Sequence, residues 1–212
     1  MACKLVLLAL VTLLLGGFMM TGCAEKVGPW ELERLYQTPR VFPAPGFEEE
    51  GLRALWYEGL PFKGHSTRVF AWYGAPETKP NERIPAVVCV HGGGGTAYAD
   101  WVRWWVDHGY AAIAMDLEGG ANSEGRFKNR WSGPPNAGYG DIDQPVEDQW
   151  MYHAVADVAL AHSLLRSFPE LDPKRIGVAG ISWGGVVTAN VMGVDTRFRF
   201  AIPTYGCGFQ MD

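Results

Sequence analysis

Gly180-Ile181-Ser182-Trp183-Gly184 stands between an apolar run on its amino side and a second apolar run, residues 186–192, on its carboxyl side. The pattern reads as a strand, a sharp turn and a helix. Side chains at the two glycines would collide as the backbone doubles back, so only hydrogen fits there. The serine between them takes a strained conformation that its surroundings must enforce. Its hydroxyl is thrown out at the carboxyl end of a buried strand, where open α/β sheets bind ligands. The helix behind it turns its positive end toward the same point. A glycine-rich turn before a helix would share these letters. The β-like run ahead and the helical run behind favour a presented nucleophile.

The remaining chain supplies partners for that strand. Residues 52–57 and 67–73, filled with aromatic and β-branched side chains, read as two strands of a hairpin. Ala86-Val87-Val88-Cys89-Val90 is continuously apolar, as a strand buried on both faces requires. It runs into His91-Gly92-Gly93-Gly94-Gly95. Residues 99–108 read as a helix with Trp101, Trp104 and Trp105, and residues 110–115 as the next strand. Residues 117–145 hold no clear element, and loops of that length are usually functional or disordered. At this place the loop would overhang the serine and form part of a substrate wall. Residues 146–168 repeat apolar positions at helical spacing, and residues 198–205 read as a final strand. The order β-β-β-α-β-loop-α-β-α-β implies an α/β fold, a mostly parallel, doubly wound sheet of about six strands.

The first residues read as an export signal. Lys4 precedes an apolar run over residues 5–15, and Met20-Thr21-Gly22-Cys23 resembles a bacterial lipobox, whose cysteine is lipidated. The apolar run is short for a membrane span. The reading is a lipoprotein signal over residues 1–22, a linker over 23–50 rich in Pro, Gly and charge with a short helix over residues 30–36, and a catalytic-type domain over 51–212. Lipid on Cys23 would tether the protein to the cell envelope without spanning the membrane. The net charge of -5, with no basic block, argues against a nucleic-acid partner. Of four cysteines only Cys89 and Cys207 fall in the folded part. On strands two places apart they stand about 9–10 Å from each other, too far to bridge, so both are expected as free thiols.

The glycine loop, the strand Gly109-Tyr110-Ala111-Ala112-Ile113-Ala114-Met115-Asp116, and Asp172-Pro173-Lys174-Arg175-Ile176-Gly177-Val178 leading to the serine pentapeptide together resemble the α/β-hydrolase family. The similarity runs from about Leu52 to Phe209. It is strongest to the branch of acetyl xylan esterases, dienelactone hydrolases and the catalytic domain of prolyl oligopeptidases. The resemblance implies Ser182 as nucleophile. It also implies an oxyanion hole from the backbone N–H of Trp183 and one from the glycine loop, at Gly93 or Gly94. Two fixed N–H groups stabilise the negative charge that acyl transfer builds on the carbonyl oxygen.

The chain departs from that family in one respect. A serine hydroxyl needs a base, normally a histidine oriented by a carboxylate, and in this fold the order is serine, acid, histidine. All five histidines, at 65, 91, 108, 153 and 162, precede Ser182, and only Asp195 and Asp212 follow it as acids. His91 is nearest by topology, but is expected to pack and shape the glycine loop. His153 and His162 read as helix residues in packing or surface roles, Asp195 lies on the wrong side of the sheet, and Asp116 and Glu118 read as turn residues. The expectation is a chain incomplete at its carboxyl end, with residues 198–205 as an exposed edge open to self-association.

The function expected is hydrolysis of a small-molecule or carbohydrate ester, of acetyl xylan esterase type, with no metal and no cofactor. Nine tryptophans admit sugar stacking near Trp131 or Trp183, although core packing accounts for most of them. A prolyl-oligopeptidase-like peptidase and a non-catalytic envelope lipoprotein are the alternatives, the second favoured by the absent base.

Overall fold

The computed structural model describes residues 25–117, 133–134 and 137–206. Nine strands and four α-helices follow in order among them. A small hairpin, β1 (Lys26–Val27) and β2 (Trp30–Glu31), precedes α1 (Leu32–Tyr36) and β3 (Val41–Pro43). Next come β4 (Arg53–Glu58), β5 (Arg68–Gly74), β6 (Ile84–Val90), α2 (Ala99–Asp107) and β7 (Ala111–Met115). After a 3-10 turn over Val146–Asp148 the chain forms α3 (Trp150–Arg166), β8 (Leu171–Ile181), α4 (Trp183–Val194) and β9 (Ala201–Thr204).

The main sheet has seven strands in the order β3-β4-β5-β7-β6-β8-β9. β7, β6, β8 and β9 run parallel, and β3, β4 and β5 join them as an antiparallel meander. The parallel half obeys the burial rule for such sheets: every residue of β7 and nearly every residue of β6 is out of solvent. Cys89, one residue before the end of β6, is a free thiol, and burial pushes its pKa up. Cys207 lies outside the described residues.

Two apolar clusters sandwich the sheet. The larger lies under α1, α3 and α4, and the smaller under α2. Helix α3 is covered almost all round, with Ala154, Ala156, Ala159 and Ala161 keeping it close to its neighbours.

The segment read as a linker over residues 23–50 is, where described, part of the fold. Leu32 and Leu35 enter the larger core cluster. The Trp30 indole N–H donates to the Tyr152 carbonyl and stacks on the Tyr152 ring, and Ser163 Oγ donates to the Leu35 carbonyl. β3 adds the seventh strand by pairing with β4, so the sheet exceeds the six expected. The short helix expected over residues 30–36 is present as α1, and its two leucines three apart suffice for one buried helical turn.

Asp157 lies in the middle of α3, fully buried, and neither carboxyl oxygen is hydrogen-bonded among the described residues. Burial raises its pKa well above the ordinary carboxylate value. From about pH 4 up to that raised value the folded state holds more protons than the unfolded one, so this group lowers stability as pH rises. His153 and His162, whose pKa values burial depresses, act oppositely. Below about pH 6.5 the unfolded chain takes up protons that the folded one refuses, and stability falls as pH falls. The Asp157→Asn variant removes only the first contribution. Urea midpoints measured from about pH 5 to about pH 8 are expected to rise with pH more steeply in the variant than in the parent. Parallel curves would show that the Asp157 carboxyl titrates alike in both states.

Candidate active site

Ser182 follows the last residue of β8 and precedes the first of α4, with φ 54° and ψ -117°. For a serine this left-handed conformation costs about 1–3 kcal/mol and persists only where neighbours hold it. Its N–H donates to the Thr204 carbonyl at 2.7 Å, and its carbonyl accepts from the Val186 N–H at 3.1 Å. The side chain is exposed, at the carboxyl edge of the parallel strands.

Close backbone contacts force the two flanking glycines. A Cβ on Gly180 would stand 2.2 Å from the Gly184 carbonyl oxygen, and one on Gly184 2.2 Å from the Val90 oxygen and 2.4 Å from that of His91. The end of β6 therefore presses directly on the start of α4.

The glycine loop continues from that contact. A Cβ on Gly92 would lie 3.1 Å from the Ile181 oxygen and 3.4 Å from Ser182 Cβ, and one on Gly93 would lie 3.7 Å from Trp183 Cβ. Gly92 and Gly93 thus run alongside Ser182 and Trp183. Gly94 follows in a left-handed conformation, φ 70°. The Gly95 N–H closes the turn on the Gly92 carbonyl at 3.0 Å.

His91 is built into this loop. Its Nδ1–H donates to the Gly92 carbonyl at 2.7 Å, and its Nε2 accepts from the Leu117 N–H at 2.9 Å. A carbonyl can only accept and an amide N–H can only donate, so the ring is the neutral Nδ1–H tautomer with its lone pair occupied. It shapes the loop, as expected, and is not poised as a base. Asp116, also buried, accepts from Thr96 Oγ1 at 2.7 Å and ties the strand end of β7 to the segment after the glycines. Glu118, Trp131 and Asp212 lie outside the described residues, as does Cys23.

The other histidines stand apart from Ser182. His65 is exposed in the β4–β5 turn, and His108 caps α2 with its ring on Trp104. The His153 Nε2–H donates to the Glu147 carbonyl. His162 donates from Nδ1 to Asp195 Oδ2 at 2.8 Å and stacks on Phe198. Asp195 also accepts from Arg197 Nε at 2.8 Å and from the Arg197 terminal nitrogen at 2.6 Å. Burial alone would raise the Asp195 pKa, but the hydrogen bonds from Arg197 and His162 hold it well below the carboxylate range. This buried group sits at the far end of α4, about 20 Å from Ser182 at 1.5 Å per helical residue.

The sequence pattern did not single out Tyr139 and Trp150, which flank Trp183. Trp150 stacks on Trp183 with ring centroids 6.2 Å apart, and Tyr139 meets Trp183 edge-on at 5.2 Å. Trp150 is held by its own indole N–H to the Leu117 carbonyl and by its backbone N–H to the Asp141 carboxylate. Tyr139 and Asp141 come from a stretch without periodicity, so only proximity in the fold reveals them.

The family model of acetyl xylan esterase (AXE1) matches residues 50–210. The acetyl xylan esterase from Paenibacillus sp. R4 superposes with a TM-score of 0.60 at 22% identity, over 81% of this chain and 55% of that one. Acetyl Xylan Esterase 1 from Thermoanaerobacterium sp. JW/SL YS485 gives 0.59 at 21%, over 80% and 55%. The uncharacterized peptidase YuxL of Bacillus subtilis (strain 168) is 26% identical over 140 residues, covering 63% of this chain and 19% of that protein. The two structures share the α/β-hydrolase fold, and the chain spans about half of their length.

The Gly184 contact gives a direct test. Gly184→Ala is expected to cost about 1–3 kcal/mol through overpacking and to lower the thermal midpoint by about 2–4 °C per kcal/mol. Gly193→Ala, also in α4 but with open space at its Cβ, is expected to be neutral or to stabilise by up to about 1 kcal/mol. Differential scanning calorimetry of the two variants checks both, and equal midpoints would contradict the close contact.

Proposed function

The chain belongs to the acetyl xylan esterase (AXE1) family, and from that premise we propose that it acts as a serine hydrolase on carboxylic esters, removing acetyl groups from carbohydrate. The observation that carries this reading is the left-handed Ser182 at the start of α4, with the Gly92-Gly93 backbone beside it. Ser182 Oγ attacks the ester carbonyl, its proton passes to a base, and the base returns that proton to the departing alkoxide, which leaves as the alcohol while the acyl-serine forms. Water then attacks the acyl-serine, releasing acetate and restoring the hydroxyl. The N–H groups of Trp183 and of Gly93 or Gly94 are the proposed oxyanion donors, and the positive end of α4 adds to them. Gly93 is favoured as the loop donor because it runs alongside Trp183.

None of the described histidines occupies the place of the base, so we assign that role to a group outside the described residues. A second reading, a peptidase of the same fold, draws support from the relative named a peptidase. A fluorophosphonate probe is expected to label the protein at Ser182, and Ser182→Ala to reduce labelling and aryl acetate hydrolysis to background. Turnover of a peptide amide without the acetyl ester would favour the peptidase. Absence of both labelling and turnover would favour a non-catalytic binding protein.

We also propose that residues 1–22 direct export and that Cys23 carries lipid, which would place the protein at the cell envelope. The support is the basic and apolar leader ending in Met20-Thr21-Gly22-Cys23. Among the described residues no helix is long and apolar enough to cross a membrane. Metabolic labelling with an alkynyl fatty acid is expected to mark the parent and not Cys23→Ser. Equal labelling of the two would remove Cys23 as the attachment point.

A further inference from the structure

We propose that a hollow between α1 and the β4–β5 turn binds the phosphate group of a phosphate monoester, with Arg34 and Arg40 as its charged donors. The hollow has a volume of about 290 Å³, at the lower end of small-ligand sites. It is separate from Ser182, because β4 and β8 stand four strand spacings apart in the sheet, about 19 Å. Nothing in it depends on the ester-hydrolase reading.

The backbone fixes both walls. Leu32 and Leu35 face the core, which turns Arg34 of the same helix out to solvent. The chain leaves α1 extended at Gln37 and is pinned by the buried Pro39, which biases Thr38 toward an extended conformation as well. Arg40 then lies beside Glu58, whose N–H donates to the Arg40 carbonyl at 2.9 Å. On the facing wall the Gly59 N–H donates to the Thr67 carbonyl at 3.2 Å, and Thr67 Oγ1 donates to the Leu60 carbonyl at 2.6 Å. A Cβ on Gly59 would stand 2.5 Å from Thr67 Oγ1 and 2.8 Å from Asp157 Oδ1, so this wall is already packed against its neighbours. A ligand entering a preformed hollow pays little to order the protein.

The chemistry selects the ligand. Arg40 Nε donates to Glu58 Oε2 at 2.8 Å, and an Arg40 terminal nitrogen donates to Oε1. This two-point clasp sets the guanidinium plane and leaves further N–H donors on its far side. Arg34 donates no hydrogen bond among the described residues, and acts on Glu58 and the Tyr152 phenol through space. The hydrogen bond from Arg40, helped by the Arg34 and Arg68 charges, lowers the Glu58 pKa, so that carboxyl stays ionised. Glu58 is the only carboxylate among the described residues that line the hollow, against two guanidinium groups. The surplus charge favours an anion. Gln37, Thr38 and Ser66 line the same space and add neutral donors. Donors arriving from several directions match the tetrahedral oxygens of a phosphate better than the planar pair of a carboxylate. Leu60, Pro61 and Leu160 supply an apolar wall for the carbon part of an ester.

Isothermal titration calorimetry of the full chain with phenyl phosphate tests the site. One saturable site is expected, weakened about tenfold in Arg34→Gln. Benzoate, which keeps the ring and replaces phosphate by carboxylate, is expected to bind at least about tenfold more weakly than phenyl phosphate. Arg34 is exposed, so parent and variant are expected to share one urea midpoint, which separates lost binding from lost folding. A phosphate monoester also heads one class of lipid, so both proteins are sedimented with phosphatidic acid vesicles and with phosphatidylcholine vesicles. Arg34-dependent binding of phenyl phosphate without Arg34-dependent capture on phosphatidic acid upholds the site for a soluble ester. Arg34-dependent capture on phosphatidic acid alone upholds it for a lipid headgroup. Binding of neither probe, binding unchanged in Arg34→Gln, or benzoate binding as tight as that of phenyl phosphate overturns it.

Discussion

The carbonyl oxygens of Val90 and His91 lie so close to Gly184 that hydrogen is the only substituent the contact admits. Everything at the candidate site depends on that approach. It joins the end of β6 to the start of α4, and it lets the loop after β6 run past Ser182 within van der Waals distance. On the other side the Thr204 carbonyl of β9 accepts the Ser182 N–H. The serine is therefore gripped between two neighbouring strands, which is what keeps an exposed non-glycine residue at positive φ. Strain of that size is a small fraction of what the surrounding core supplies, but it would relax at once if either strand moved away.

Helix α4 is secured at its other end by a different kind of interaction. Asp195 gathers His162 and both faces of the Arg197 guanidinium fork, and Arg197 passes on to Ser163 and lies over the Tyr36 ring. Ser163 in turn reaches the Leu35 carbonyl. Removing one partner of such a buried group leaves an uncompensated charge, so it holds geometry firmly even where its net contribution to stability is small. The segment before β4 is thereby tied to the helix that begins after Ser182. Both ends of α4 are fixed, by backbone contact above and by buried charge below.

Much of this was legible in the sequence, for a physical reason. The buried parallel strands announce themselves as unbroken apolar runs, and the elbow announces itself because two glycines are sterically required. His91 was read as a loop-shaping residue, and its two hydrogen bonds bear that out. Other features lacked a local signal. β3 is three residues long and lies in a stretch punctuated by proline, so neither periodicity nor composition marks it. The Tyr139–Trp183–Trp150 cluster and the His162–Asp195 pair are likewise contacts between segments, set by tertiary packing alone.

The His162–Asp195 pair carries two parts of a hydrolytic triad in miniature, and the comparison with His91 shows why neither histidine acts as the base. A catalytic imidazole needs its N–H held by an acceptor and its lone pair aimed at the serine hydroxyl. His91 has the right tautomer, but its lone pair is occupied by the Leu117 amide, so it would have to break the loop it supports in order to accept a proton. His162 has the right acceptor in Asp195, but its ring is stacked on Phe198 and buried at the opposite end of α4. One histidine has the position without the free electron pair, and the other has the orienting carboxylate without the position. On the proposed hydrolase reading, the proton acceptor for Ser182 is therefore assigned to a group outside the described residues.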